Sequence, residues 1–534
     1  SSPPPRPPAP AQSNLPMKFP HLVSLAALSG LVALGPAFAA AQMPAPAPAV
    51  TTFTPPEPTP KFYAWAQTPP MGWNSWDCYG AGIWQDDALA NAAYMATHLK
   101  SHGWSYVVID IQWYEPLAHT DRYRPQAELV TDANGRLRPA PNRFPLTKET
   151  ASFKPIADLI HQQGLQFGLH LMRGIPRQAV DRDNAPILGT GFHAQDIADK
   201  VHVCRWNGDM YGVDMTKPGA QEYYDSVFAL LASWGLDYVK VDDLSGHEAE
   251  IAAIRRAIDK SGRPIVLSIS PGGNTTQNVA SQANLWRISG DFWDNWPALY
   301  AQFARMDVVT PFRGPGHWPD ADMIPFGNVR TWKETDSWTH FTPDEQTTLM
   351  TLWCIGRSPL MLGGNLPKND AFTLSLLTND EVLAANQHSA NNRQVFRRGE
   401  QVGWIADIPG SADKYLALFN LSPAPPPRPA RGARPPGSAD ASGGNVALAG
   451  DLGNGAGGAG PTATPAPAGA APAASQSAEP INISLTLEEL GLRGTVKIRD
   501  LWTHRDLAST SRVITASVKS HGAVFYRLTP TEGQ

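Results

Sequence analysis

The chain has 534 residues, 17% of them charged, and a formal net charge of −5. That length suits two or three domains. The sparse, weakly acidic charge argues against a nucleic acid or anionic membrane as partner, because no basic tract could neutralise a row of phosphates. Three cysteines, Cys78, Cys204 and Cys354, allow at most one disulfide and match no zinc spacing, and no His-Glu-x-x-His pattern occurs, which disfavours a metal hydrolase.

From Met17 the chain reads MKFPHLVSLAALSGLVALGPAFAAAQ. Lys18 supplies a charged start, residues 22–34 an apolar run, and Ala37-Phe38-Ala39 a small-residue cleavage pattern. A membrane span needs roughly 20 apolar residues, so this run reads as a signal peptide. Residues 1–42 are therefore expected to be an upstream extension plus signal peptide, and the mature protein to be exported, periplasmic or secreted, without stable membrane insertion. Residues 43–67, rich in Pro and Ala, read as an extended linker.

Over residues 68–384, apolar strand-like runs alternate with helical segments. The runs are PPMGWNSW, YVVID, FGLHLM, DYVKVDD, IVLSIS, LWRISGD, MDVVT and SPLMLGG, with helical stretches such as DDALANAAYMATHLKSH and PGAQEYYDSVFALLASWG between them. Eight alternations predict an α/β fold, a closed (β/α)8 TIM barrel, and the first run is not followed by the Gly-x-Gly-x-x-Gly of a dinucleotide site. Residues 385–534 change to alternating strands (RQVFRR, VGWIADI, KYLALFNLS, TVKIRDLW, GAVFYRLT), the pattern of a C-terminal antiparallel β-sandwich. Between its halves, about 422–480, a Pro/Ala/Gly/Ser tract has too little apolar surface to offset ordering entropy, and a disordered insertion is expected there.

Catalytic groups of such barrels come from the C-terminal ends of strands. Acids stand there: Asp110, the pair Asp242 and Asp243, Asp291, and Asp320 with Asp322. A single strand-end acid is most often a helix cap. Several at successive ends, in a chain with 17 Trp to stack on sugar faces and no metal-ligand spacing, suit glycoside hydrolysis. In DYVKVDD, residues two apart share a face, so Lys240 and Asp242 point the same way. Lys240 would hold Asp242 ionised, as a nucleophile requires, unless the two form only a structural ion pair. In WRISGDFWDNW, Arg287, Ser289 and Asp291 share a face, and Trp286, Trp293 and Trp296 are expected to desolvate Asp291 so that it keeps its proton as a general acid. Asp294 competes with it, as a cap or loop residue.

TPPMGWNSW, YVVID, FGLH, YVKVDD, LWRISGD and GPGHWPDADM resemble, in order, the motifs of the glycoside hydrolase family 27 α-galactosidases, the melibiase family. The resemblance implies a (β/α)8 barrel with a C-terminal sandwich, a retaining exo-glycosidase needing no cofactor or metal, and terminal galactosides or related arabinopyranosides of oligosaccharides or polysaccharides as partners. It implies Asp242 as nucleophile and Asp291 as acid/base. Trp76 would stack on the sugar, Asp110 and Lys240 would bind ring hydroxyls, and Arg287 would hold the 2-hydroxyl. Asp322 and Met323 would sit at the pocket rim. Three positions depart from the family pattern. Ile111 follows Asp110 where a second acid is common, His170 replaces a Tyr, and Ser270 stands where an acid is common after the fifth strand. The leading expectation is an α-galactosidase. β-L-Arabinopyranosidase is the alternative, because its sugar has the same ring stereochemistry without the CH₂OH arm that an apolar Ile111 would leave unpaired. A non-catalytic carbohydrate-binding protein is disfavoured, since both Asp242 and Asp291 are present.

Overall fold

The computed structural model describes residues 58–270, 277–423 and 479–531. The expected signal peptide, the linker up to residue 57 and positions 424–478 of the expected insertion lie outside the described residues.

Eight short parallel strands form the centre: β1 Met71–Asn74, β2 Tyr106–Ile109, β3 Gln166–Met172, β4 Tyr238–Asp242, β5 Val266–Ile269, β6 Leu285–Arg287, β7 Trp318–Asp320 and β8 Leu360–Leu362. Each pairs with its neighbour in chain order, and β8 returns to β1. The ring closes through Ile324, just past β7, whose N–H donates to Met361 O at 2.8 Å and whose carbonyl accepts from Gly363 N at 2.9 Å. Period-two alternation sorts the side chains into two layers. Tyr106, Val108, Tyr238, Val266, Leu285 and Trp318 cluster inside the barrel. Val107, Ile109, Val239, Val241, Leu267 and Trp286 belong instead to the large apolar cluster shared with the helices.

The helices follow from sequence spacing. Gln85–His98 buries Ala88, Asn91, Ala92 and Met95 along one face. Pro343–Gly356 begins with a capping box in which Thr342 and Glu345 satisfy each other's backbone N–H groups, with Pro343 in the first turn.

Two expectations need correction. Met306–Thr310, read as the seventh strand, lies in the last turn of helix Trp296–Val309 and the bend after it. Its Met306 continues the buried helical face, one turn after Phe303 at i and i+3, whereas the true seventh strand is only Trp318-Pro319-Asp320 and offers no apolar run to detect. The end of the expected linker is also ordered. Lys61–Ala66 forms a 3₁₀ helix with Phe62, Tyr63 and Ala66 buried. Trp318 Nε1 donates to Ala66 O and Asn284 Nδ2 to Phe62 O, at 2.8 and 2.9 Å. Ala66 joins the barrel-interior cluster beside Tyr106 and Tyr238, the first residues of β2 and β4, so this turn covers the N-terminal mouth of the barrel.

The C-terminal part has a six-stranded antiparallel sheet in the order Ala390–Arg398, Gln401–Asp407, Lys414–Asn420, Ala523–Pro530, Val496–Asp500, Arg505–Thr510. Ile481–Thr486 pairs with Val513–Val518 as a separate ribbon. Alternation again divides the faces. Leu416, Leu418, Tyr526 and Leu528 pack against Ile483, Leu485, Ile514 and Ala516 of the ribbon. Tyr415, Ala417, Phe419 and Phe525 turn the other way, into the cluster that contains the barrel helices. Phe419 meets Phe303 of helix Trp296–Val309 edge to face, with ring centroids 4.9 Å apart. Phe419→Ala should lower the denaturation midpoint, at a cost of about 3–5 kcal/mol, while Phe419→Leu costs less. Chemical denaturation followed by Trp fluorescence measures both.

Candidate active site

The C-terminal ends of β1, β2, β3 and β4 bring six polar side chains together. Asp110, just past β2, is 1% exposed, and its Oδ2 accepts from Asn74 Nδ2 at 2.7 Å and from Lys240 Nζ at 3.1 Å. Its backbone N–H donates to Ser75 Oγ at 2.9 Å, and its Oδ1 accepts the N–H of Ile111 at 2.9 Å. The acid is therefore bound on both oxygens and is no helix cap. Lys240 Nζ lies 3.8 Å from Asp242 Oδ2, and His170 Nε2 is 2.9 Å from the same oxygen. Strand pairing sets this up, because His170 and Lys240 are register partners of β3 and β4.

Electrostatics follow from the geometry. Burial alone would raise the pKa of Asp242, but Lys240, His170 and the nearby Ser270 outweigh it and hold the carboxyl far below the usual carboxylate range. Burial also opposes ionisation of Asp110, and Lys240 with His170 again reverses the balance. Lys240 in turn is kept charged, against burial, by Asp110 and Asp242. The result is a buried, ionised carboxylate whose Oδ2 is engaged and whose Oδ1 is buried without a hydrogen-bonding partner.

The ends of β6 and β7 supply the second group. Arg287 Nη2 lies 2.9 Å from Asp322 Oδ2 and 3.2 Å from Asp291 Oδ1. Asp322 Oδ2 also accepts the N–H of Phe292 at 2.7 Å. The desolvation expected at Asp291 is not found: its side chain is 58% exposed. Trp286 is buried in the apolar layer between sheet and helices, and Phe292, the neighbour of Asp291, is buried in its place. The strongly perturbed acid is Asp322, which burial, opposed by Arg287 and reinforced by Asp291 and Asp320, pushes up to about 6. Asp294 accepts both terminal nitrogens of Arg330 at 2.9 and 2.7 Å, a buried ion pair, and the helix cap is Asn295. Asp322 and Met323, expected at the rim, are both buried, and Met323 belongs to the interior cluster against which Trp76 packs.

Ile111 is 2% exposed and groups with Val107 and Ile109 in the large cluster, while Trp76 is half-buried. Several residues at this face carried no local signal. Tyr123 stacks on Trp76 (centroids 6.0 Å apart, planes 20° apart), and Trp206 lies 5.6 Å from Tyr123, so two long loops extend the aromatic wall. Asp209 accepts from Gln112, Tyr114 and Asn207 at 2.6, 2.9 and 3.1 Å, tying those loops to the residue after Ile111. Asn74 and Ser75 could have been found, since they lie inside the quoted MGWNSW motif. Tyr123, Trp206 and Asp209 could not, because nothing in their neighbourhoods marks them. Among the described residues no cluster of His, Cys, Asp and Glu is arranged to hold a metal ion, the three thiols are unpaired, and no helix is long and apolar enough to cross a membrane.

Comparison with known proteins places this arrangement. Residues 207–388 match the family profile described as alpha galactosidase A, and 472–528 match that of the alpha galactosidase C-terminal beta sandwich domain. A β-L-arabinopyranosidase of glycoside hydrolase family 27 from Geobacillus stearothermophilus is 44% identical, with a TM-score of 0.76, covering 89% of this chain and 99% of its own. A variant of that enzyme in complex with arabinose gives the same TM-score of 0.76 at 43% identity, covering 88% of this chain and 99% of its own. The α-galactosidase of Cyamopsis tetragonoloba is 25% identical over 475 residues, 87% of each chain. With that identity sustained over nearly the whole barrel and sandwich, the chain belongs to glycoside hydrolase family 27 and is a glycosidase.

Proposed function

We propose that the protein is a retaining exo-glycosidase that removes terminal pyranosides of galactose-like ring configuration, with β-L-arabinopyranosides preferred over α-D-galactosides. The observation that carries the mechanism is the state of Asp242: largely buried, ionised through Lys240 and His170, and held by them at Oδ2. A carboxylate kept ionised and fixed in position suits attack on an anomeric carbon. Asp291 serves as acid/base. It stands beside the same Arg287 as Asp322, and its exposure leaves it free to exchange protons with a leaving group and then with water. Asp322 has the raised pKa but not the freedom, since Arg287 and the Phe292 N–H hold its Oδ2. Asp110, bound on both oxygens beside Lys240, suits sugar hydroxyls, and Arg287 suits the 2-hydroxyl. Trp76, extended by Tyr123, suits the apolar face of the ring. Export through a signal peptide remains part of this proposal.

The sugar preference is supported by the 44% identity to an arabinopyranosidase and by the lack of an acid at position 111, where the Ile side chain packs into the apolar layer with Val107 and Ile109. An apolar side chain in place of an acid cannot bond the hydroxyl on the sixth carbon of galactose, and arabinopyranose has no such hydroxyl. The match to α-galactosidase profiles and relatives favours retention of galactosidase activity beside it.

Three outcomes test this reading. On paired p-nitrophenyl glycosides, Ile111→Asp should shift the ratio of kcat/KM toward galactoside by about tenfold or more; an unchanged ratio removes Ile111 as selector. Asp291→Ala should largely retain kcat/KM on dinitrophenyl glycosides, whose leaving group needs no proton, and lose roughly 100-fold or more in kcat/KM on alkyl glycosides. Lys240→Met removes the cation that keeps Asp242 ionised against burial. Since activity requires the ionised form and is lost as pH falls through the pKa, the acid limb of kcat/KM should move to higher pH. A limb that stays in place would exclude Lys240 from that role.

A further inference from the structure

Arg173 has no part in the chemistry above, yet its side chain is 2% exposed and fully engaged directly behind Asp242. Its backbone N–H donates to Asp242 O at 3.0 Å. Nε donates to Asp243 O at 2.8 Å, and Nη2 to Asp243 Oδ2 at 2.7 Å and to His202 O at 2.9 Å. Nη1 donates to Glu250 Oε1 at 2.7 Å. Glu250, on helix Glu248–Ser261, is itself fixed by the hydroxyl of Tyr224, which accepts from Gly174 N at 3.1 Å. One guanidinium thus links the end of β3, the residue after β4, the following helix and the loop through His202.

The backbone at Asp243 is what this fork grips. Its φ is +63°, the left-handed region that residues other than glycine seldom adopt, although Asp and Asn tolerate it best. Such a conformation persists only where its surroundings over-determine it. Asp243 comes immediately after Asp242, so the left-handed turn sets the direction in which the chain leaves β4. β3 then holds Asp242 at two points, His170 on its side-chain oxygen and Arg173 on its carbonyl. A buried cation with two carboxylates is poorly explained by stability alone, because apolar packing usually stabilises as well or better.

We propose that Arg173 is a positioning residue: its fork locks the left-handed turn at Asp243 and thereby aims the carboxylate of Asp242 at the reacting carbon. The inference rests on Asp242 being the nucleophile, and the test separates the two. In the full chain, Arg173→Lys keeps the charge and loses the fork. It should lower kcat by about 10- to 100-fold with KM changed less than about threefold, the cost of a misplaced nucleophile. Azide supplies the second arm. In Asp242→Gly, azide should restore cleavage of a dinitrophenyl glycoside, with an N–C bond forming at the anomeric carbon as dinitrophenolate leaves. Adding Arg173→Lys to Asp242→Gly should leave the azide-rescued rate within about twofold, because there is no nucleophile left to aim.

If azide does not revive Asp242→Gly, the nucleophile assignment falls and the inference with it. If azide works but Arg173→Lys has wild-type kcat, or slows the rescued reaction by the same factor, the nucleophile stands and the positioning role is overturned. Should Arg173→Lys fail to fold, Asp243→Asn takes its place. It tolerates the left-handed turn and keeps an acceptor but loses the charge, so a smaller fall in kcat is expected, again absent from the azide-rescued rate. Wild-type kcat in Asp243→Asn would overturn the proposal.

Discussion

The site depends on one buried cation. Lys240 stands inside the barrel between Asp110 and Asp242, and it is the main charge opposing the burial that would otherwise favour their protonated forms. Three charges in a small buried volume carry a large desolvation cost, which their mutual attraction and the hydrogen bonds from Asn74 and the Ile111 N–H at Asp110 and from His170 at Asp242 offset. The parallel register of β2, β3 and β4 is what allows this, since it sets Asp110, His170 and Lys240 at one level of the barrel. The barrel in turn needs its lower interior filled by Tyr106, Tyr238 and Trp318 and its N-terminal mouth covered by Ala66.

The two proposed catalytic acids occupy opposite environments, and that contrast gives the mechanism its shape. Asp242 is enclosed and ionised, with neighbours that fix it. Asp291 is exposed, with Arg287 beside it. An acid/base that must first give a proton and later take one from water gains from contact with solvent, whereas a nucleophile gains from being held still. The expectation of a desolvated Asp291 failed in part because nearness in sequence to Trp286 is not nearness in space. At the end of β6 alternation turns Trp286 outward into the helix layer, and the burial falls on Phe292 and Asp322 instead.

The sandwich contributes rigidity. One face of its large sheet closes its own core, and the other, through Phe419 and Phe525, packs into the cluster that includes the helix after β6. That helix begins five residues after Asp291, so the loop bearing the proposed acid/base is anchored at one end by the interdomain contact.

By itself, the sequence determined the kind of fold and the order of its parts, and it named the residues proposed to react. Alternation marked seven of the eight barrel strands and five of the sandwich strands, and acids at strand ends pointed to a carboxylate mechanism. The ordered motifs led to the family. These are all local patterns with a period of two or four residues, and they survive in a one-dimensional reading. Tertiary structure decided which charges meet. Lys240 and Asp110 are 130 positions apart, Arg173 and Asp243 are 70 apart, and the aromatic wall joins loops after β2 and β3 to Trp76. Exposure of Asp291, burial of Asp322, the strand Trp318–Asp320 and the ordered turn Lys61–Ala66 were decided there too. Burial and ion pairing depend on what lies across space, and residues adjacent in the chain carry no record of it.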